Sequence, residues 1–154
     1  MGLDMYLKAK AYYSSAEYRG EENNKKFEQL KEFGGLEDYL DDYLPNIQLE
    51  AGVGYWRKAN HIHRWFVENV QDGEDECREH YLEREQLVEL KGMCVWVLDD
   101  PEKASKTLPT QAGFFFGGEE YDEWYIASLK ETVEIIDRCL KMPDEWEFYY
   151  QSSW

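Results

Sequence analysis

Residues 3–12 read LDMYLKAKAY, and this stretch decides the first element of the fold. Apolar side chains occupy every second position from Leu3 to Ala11, and polar or aromatic side chains fill the positions between them. A period of two is typical of a strand that buries one face and exposes the other. The stretch therefore predicts a strand over residues 2–12 and a core that covers one of its faces.

Two later stretches carry the same alternation, and they cover residues 47–55 and 145–151. We expect the three segments to lie in one sheet, because they share one pattern of buried and exposed faces. A fourth candidate is the aromatic run Phe114–Phe116, which lies between glycines. This run predicts either a fourth strand or a packed loop.

Between the strand candidates, apolar residues recur at helical spacing. Pro45 ends one such run, and Asp99-Asp100-Pro101 suits the end of another helix and the start of the next. The spacing predicts helices over 23–33, 36–44, 59–70, 87–98 and 125–140. With no Gly/Ser/Pro linker, the pattern predicts an α+β fold in a single compact domain, 1–154. Its small mixed or antiparallel sheet of three to four strands is expected to be covered by about five helices.

The chain is strongly acidic, with 33 Asp and Glu against 17 Lys and Arg among 154 residues and a formal charge of −16. This charge excludes general nucleic-acid binding, which needs cations that neutralise phosphates, and it disfavours a membrane surface. No apolar run is long enough to cross a bilayer, and no signal peptide is evident. The three cysteines are scattered along the sequence. These features predict a cytoplasmic protein with no disulfide, and they leave the oligomeric state open.

Motifs for enzyme chemistry are absent from the sequence, which has no P-loop, no dinucleotide fingerprint and no nucleophile elbow. His61 and His63 point about 200° apart on a helix, so they do not share a metal. His63 falls on the apolar stripe, which favours a hydrogen-bonded core histidine. The acidic run 119–123 suits the start of a helix better than a cation site. We expect no catalytic residue, metal or cofactor, and a binding protein is favoured over an enzyme.

Two long stretches lack Asp and Glu altogether, residues 51–67 and 103–118. Both combine cations with aromatic rings near predicted element ends, and such groups meet phosphates or carboxylates and stack on bases. The alternative is that acid is missing where the core is densest. The binding hypothesis predicts a site with ten members, namely Tyr55, Trp56, Arg57, Lys58, Asn60, His63, Gln111, Phe114, Phe115 and Phe116.

Four strings resemble a family of small proteins encoded by tailed phages and prophages. They are MGLDMYL at 1–7, GYWRKAN at 54–60 with the residues up to Val67, LPTQ-GFFFG-YDE within 108–123, and FYYQSSW at 148–154. The resemblance covers nearly the whole chain and implies no specific activity. It implies a phage origin and a role inside an infected bacterium. Small phage proteins of this kind are often accessory factors that blunt host defences, which is an analogy.

Three functions remain open from the sequence. The first is an accessory, anti-defence protein that captures a small anionic or nucleotide-like ligand at the basic-aromatic site. The second is an acidic mimic of DNA that inhibits a host nuclease or another DNA-binding protein, as the net charge suggests. The third is a hydrolase acting on a nucleotide, which has the support of His61, His63 and scattered carboxylates alone. The expected partner is therefore a small anionic ligand or a host protein.

Overall fold

The computed structural model describes residues 2–113 and 116–154. Within them an open antiparallel sheet has the strand order β2-β1-β4-β3 and is accompanied by five helices, so the predicted α+β fold is confirmed. The elements are β1 (Asp4–Ser14), α1 (Glu21–Gly34), β2 (Asn46–Arg57), α2 (Asn60–Val70), β3 (His80–Leu82), α3 (Arg84–Asp99), α4 (Ala104–Thr107), α5 (Glu123–Leu140) and β4 (Glu147–Ser153). Short 3-10 turns cover Glu17–Arg19 and Pro101–Lys103.

The chain divides into two compact units. The first unit contains the residues up to Ala9 and Gly52–Trp154, and the second contains Lys10–Ala51. The boundaries between the units fall inside β1 and β2. The single domain over 1–154 stays a prediction.

The core of the first unit forms where the alternating residues of β1 and the helical stripes meet. Leu3, Met5 and Leu7 are fully buried, as the period of two predicts. Helix α3 packs on α5, and the buried cluster includes Leu90 of α3 and Leu129 of α5. Removal of such side chains from water is the main stabilising contribution, about 1.5–3 kcal/mol for each.

The second unit contains the last residues of β1, the helix α1 and the first residues of β2. Phe27 of α1 is buried, and Lys10 of β1 pairs with Glu50 of β2 at 3.5 Å. The side chain of Asn23 accepts a hydrogen bond from the backbone N–H of Ser14 at 3.1 Å. It also donates to the carbonyl oxygen of Tyr12 at 3.2 Å, so the first turn of α1 is tied to the end of β1.

The helix predicted over residues 36–44 is wrong, since the segment forms turns and bends. The carboxylate of Asp41 accepts hydrogen bonds from the backbone N–H groups of Tyr43 and Leu44, at 2.8 and 2.9 Å. These bonds lower the pKa of Asp41 and take donors that a helix would use. Tyr39 and Tyr43 stay largely exposed, so no buried stripe favours helix over turn.

The fourth strand lies at His80–Leu82, where it pairs with β4 in the register His80 to Tyr150 and Leu82 to Phe148. Three residues are too few to show a period of two, so the sequence pattern did not reveal this strand. Of the run predicted as strand or packed loop, Phe114 and Phe115 lie outside the described residues, and Phe116 lies in a bend. No helix of the described part of the chain combines the length and the apolar character that crossing a membrane requires.

Candidate functional site

A cavity of about 610 Å³ opens in the first unit, where the end of β2, the start of α2, the loop before α5 and the first turns of α5 come together. Its lining consists of residues 55, 57–61, 110, 117, 118, 120, 122, 124, 125, 127, 128 and 131. We call this space the main cavity. Ends of strands and helices leave backbone groups and side chains exposed together, which makes such a place suitable for binding.

Two cations form one side of the main cavity. Arg57 ends β2, and Lys58 follows it with a positive φ of 58°. The backbone N–H of Lys58 donates to the carbonyl oxygen of Leu3 at 2.8 Å, which fixes this turn of the chain. Neither Arg57 nor Lys58 has a carboxylate partner within 4 Å in residues 2–113 and 116–154. Both charges are therefore available to a ligand.

Gly117 lets the loop before α5 approach this turn closely. Its φ is +98°, and a Cβ atom built on it would lie 2.9 Å from the carbonyl oxygen of Lys58. A side chain at this position would therefore meet both an unfavourable backbone conformation and a clash. The neighbouring Gly118 has open space around it, so a Cβ atom there would meet nothing within 4 Å.

Asn60, the first residue of α2, holds the same loop from inside. Its side-chain nitrogen donates to the carbonyl oxygens of Gly118 at 2.9 Å and Phe116 at 3.3 Å. Its side-chain oxygen accepts from the backbone N–H of Gln111 at 3.0 Å. Because these bonds occupy both ends of a buried amide, Asn60 acts as a positioning residue for the loop.

His61 and Ser128 form a neutral polar part of the wall. The His61 Nε2 and Ser128 Oγ atoms are 2.8 Å apart, and the hydroxyl also donates to the carbonyl oxygen of Tyr125 at 2.7 Å. Burial lowers the pKa of His61 to about 3, so the ring is uncharged at neutral pH. A hydroxyl that donates to a carbonyl, beside so weak a base, is poorly suited to nucleophilic attack. The pair can instead recognise a polar group of a ligand.

The lining of the main cavity also holds three acidic residues, Glu120, Asp122 and Glu131. Asp122 also accepts hydrogen bonds from the backbone N–H groups of Trp124 and Tyr125, at 3.0 and 3.1 Å. This supports the interpretation of the acidic run as a helix start. The acid-free stretches of the sequence therefore do not produce an acid-free cavity, because residues 120 and 122 before α5 and Glu131 of α5 bring carboxylates to it from outside those stretches.

Aromatic rings complete the lining. Trp124 and Tyr55 are 78% and 45% exposed, which leaves ring surface open to a ligand. The Tyr55 hydroxyl donates to the carboxylate of Asp4, which raises the pKa of the tyrosine, and its ring lies 5.5 Å from that of Tyr6. The ring of Tyr55 is therefore held in place before any ligand arrives.

The structure brings four predicted site residues to the main cavity, which are Tyr55, Arg57, Lys58 and Asn60. Gln111 is not in the lining, and its backbone supports the cavity through Asn60. Phe114 and Phe115 lie outside the described residues.

Three other predicted residues, Trp56, His63 and Phe116, lie in the core instead. Trp56 of β2 is buried, and its ring N–H donates to the Thr132 hydroxyl at 2.9 Å. His63 contacts the Tyr150 hydroxyl at 2.7 Å and the Asp75 carboxylate at 3.1 Å, as expected of a hydrogen-bonded core histidine.

Sequence reasoning missed the contribution of α5 to the site. Trp124, Ser128 and Glu131 are separated by four and three residues, so they lie on one face of the helix beside the apolar stripe. That spacing is a signal that could have found them. His61 was assigned to a different face from His63, and it packs on the ring of Tyr125 at 4.2 Å.

In the described part of the chain, no three His, Cys, Asp or Glu side chains are grouped to hold an ion. Burial raises the pKa of Cys94 to about 12 and that of Cys139 to about 11. Both thiols are therefore unreactive core residues, and Cys77 is exposed and free.

Comparison of the chain with protein-family models, curated proteins and solved structures finds no match.

Proposed function

We propose that the protein binds a small nucleotide-like molecule in the main cavity and acts by holding it rather than converting it. The observation that carries the proposal is a pair of cations, Arg57 and Lys58, that have no carboxylate partner among the described residues and line the same cavity as the exposed rings of Tyr55 and Trp124. Guanidinium and ammonium groups bind phosphate through charge-assisted hydrogen bonds, and tyrosine and tryptophan rings stack on bases.

The acidic residues of the cavity narrow the ligand class. A ligand of anionic groups alone would be repelled by Glu120, Asp122 and Glu131, in a chain whose net charge is −16. A nucleotide has an anionic phosphate, and most bases carry amino or ring N–H donors that suit carboxylate acceptors. The mixed charge of the cavity therefore favours a molecule with one anionic end and one hydrogen-bond-donating ring.

The chemistry of the wall supports binding without conversion. Ser128 and His61 are the nucleophile and base that a hydrolase would need, but burial holds the imidazole pKa far below neutral. A catalytic base works best with a pKa near the working pH. We therefore place the hydrolase hypothesis below the binding hypothesis.

The resemblance to tailed-phage proteins supplies the setting of this proposal. A phage accessory protein in the cytoplasm of an infected bacterium would sequester a nucleotide-like molecule that a host defence uses. The resemblance supports the setting and not the ligand, which the cavity alone suggests.

A second candidate function, inhibition of a DNA-binding protein by mimicry, is favoured by one segment of the second unit. Glu37, Asp38 and Asp42 are exposed there, together with the rings of Tyr39 and Tyr43. Exposed carboxylates beside rings suit a basic, nucleic-acid-binding surface. If inhibition of host nucleases is lost when the three acids become Gln and Asn, and is retained when Arg57 is replaced, mimicry is the function.

A thermal-shift series with AMP, adenosine and inorganic phosphate tests the binding proposal. A nucleotide at about 100 times its dissociation constant stabilises the folded state by about 2.7 kcal/mol. We expect AMP to raise the melting temperature more than either part alone, because the cations and rings act together. A series of nucleotides that leaves the melting temperature unchanged at millimolar concentration would remove the support for this function.

A further inference from the structure

A second open space lies beside the main cavity in the first unit, and we call it the Gly52 groove. It has a volume of about 600 Å³ and is lined by Tyr6, Gly52, Val53, Gly54, Tyr55, Glu131, Glu134, Ile135 and Arg138. Tyr55 and Glu131 line both spaces, so the two adjoin at these side chains. We propose that the main cavity and the Gly52 groove are two subsites of one cleft, and that the ligand has two linked ring-bearing units, as a dinucleotide does.

The two glycines of the groove have different surroundings, and this difference is the first support. A Cβ atom on Gly54 would lie 2.6 Å from the Ile135 side chain and 3.2 Å from that of Leu7, so close packing explains this glycine. A Cβ atom on Gly52 would meet nothing within 4 Å, and its φ is not positive.

Neither packing nor backbone conformation therefore requires glycine at position 52, inside an outer strand of the sheet. A glycine within a strand weakens the strand and often marks the close approach of a ligand. Here the missing side chain leaves open space in the lining of the groove.

The charges of the groove supply the second support. Arg138 is exposed in the last turn of α5 and forms no ion pair within 4 Å over residues 2–113 and 116–154. It offers a second anion contact, separate from Arg57 and Lys58. Glu134 lies in the same lining, so this subsite repeats the mixture of cation and carboxylate of the main cavity.

Aromatic surface supplies the third support. The ring of Tyr6 is 37% exposed and lies 5.5 Å from that of Tyr55, at an angle of 48°. A second base can contact this pair of rings while the first base occupies the main cavity. The inference rests on the proposed function, since it names the ligand class of the same site.

The test compares AMP with the 5′-phosphorylated dinucleotide pApA by isothermal titration. Gly52→Val adds to the groove a side chain that suits a strand and whose Cβ atom meets nothing within 4 Å. Arg138→Gln removes the cation and changes nothing in the main cavity, and Arg78→Gln is the matched control with the same change of charge. Melting temperatures establish that each variant is folded.

We expect pApA to bind the wild type at least about tenfold more tightly than AMP, which corresponds to about 1.4 kcal/mol. Gly52→Val and Arg138→Gln should remove this advantage and leave AMP binding unchanged, and Arg78→Gln should change neither. Equal affinities of AMP and pApA for the wild type, or an advantage that both variants keep, would overturn the two-subsite cleft alone. Absence of binding by both probes would overturn the proposed function and the cleft together.

Discussion

The side-chain nitrogen of Asn60 donates to the carbonyl oxygen of Gly118 at 2.9 Å, across 58 positions of sequence. This bond joins the first residue of α2 to the loop that forms another wall of the main cavity. Because the amide is buried and bonded at both ends, it fixes where the loop lies relative to Arg57 and Lys58. The shape of the site thus depends on a residue that the ligand need not touch.

Replacement of Asn60 by alanine should therefore damage both stability and the site. It leaves two carbonyl oxygens and the backbone N–H of Gln111 without their partner, and we expect a loss of about 2–3 kcal/mol in the free energy of unfolding. Denaturant unfolding measures this loss. Asn69→Ala is the control, since among the described residues that side chain makes one hydrogen bond, to the carbonyl oxygen of Trp65, and it lies at the surface. Equal losses for the two variants would contradict the role given to Asn60.

Gly117 and Gly118 offer a matched pair of substitutions. Gly117→Ala should lower the free energy of unfolding by about 1–2 kcal/mol, because the new Cβ atom meets the Lys58 carbonyl and the φ of +98° disfavours a side chain. It should also weaken binding of AMP by moving Lys58. Gly118→Ala should leave stability and binding near wild type, since nothing lies within 4 Å of its Cβ position. A Gly117→Ala protein with unchanged stability would refute this account of the close approach.

The burial of His61 should make the folded protein less stable in mild acid. Burial lowers its pKa to about 3 from 6.5, so between these values the unfolded chain binds a proton that the folded chain does not. Above about pH 6.5 the ring is uncharged in both states, so His61 does not lower the free energy of unfolding there. Below that value the free energy of unfolding falls with the pH, and at pH 5 the loss is about 2 kcal/mol.

Unfolding by denaturant at pH 7.5 and pH 5.0 measures this dependence in the wild type and in His61→Gln. The variant should lose about 2 kcal/mol less than the wild type over this interval, because glutamine does not titrate. Other groups, including the buried His63, whose pKa burial also lowers, remain in both proteins and cancel in the comparison. Identical pH dependence in the two proteins would show that His61 is not held neutral by burial.

The sequence predicted elements well where one face is buried throughout. Leu3, Met5 and Leu7 alternate because β1 faces the core, and the stripe of α5 repeats because the helix lies on the same core. It failed at residues 36–44, where helical spacing has no surface to bury and Asp41 bonds the backbone instead. Local pattern predicts structure only when tertiary burial agrees with it.

The candidate site was predicted only in part, because composition marks a segment of the sequence but not the distant segments that fold against it. Arg57 and Lys58 stand out because their neighbours in sequence carry no acid, and both line the main cavity. Glu120 and Glu131 reach the same cavity from a distant segment, and one sequence without contacts does not show such proximity. Trp56 was misplaced because the alternation over residues 47–55 puts Tyr55, and not Trp56, in the apolar phase, whereas the structure exposes Tyr55 and buries Trp56.

Titration of AMP into the wild type, Arg57→Gln and Arg78→Gln tests the central claim most directly. Arg57 lines the main cavity, and Arg78 is exposed elsewhere and lies 3.3 Å from Glu76, so the variants differ in the site and share the change of charge. We predict that Arg57→Gln weakens binding about 10- to 150-fold, the loss of a charge-assisted contact, while Arg78→Gln stays within about twofold of the wild type. Equal affinities for AMP in the three proteins, or no binding by the wild type, would contradict the account.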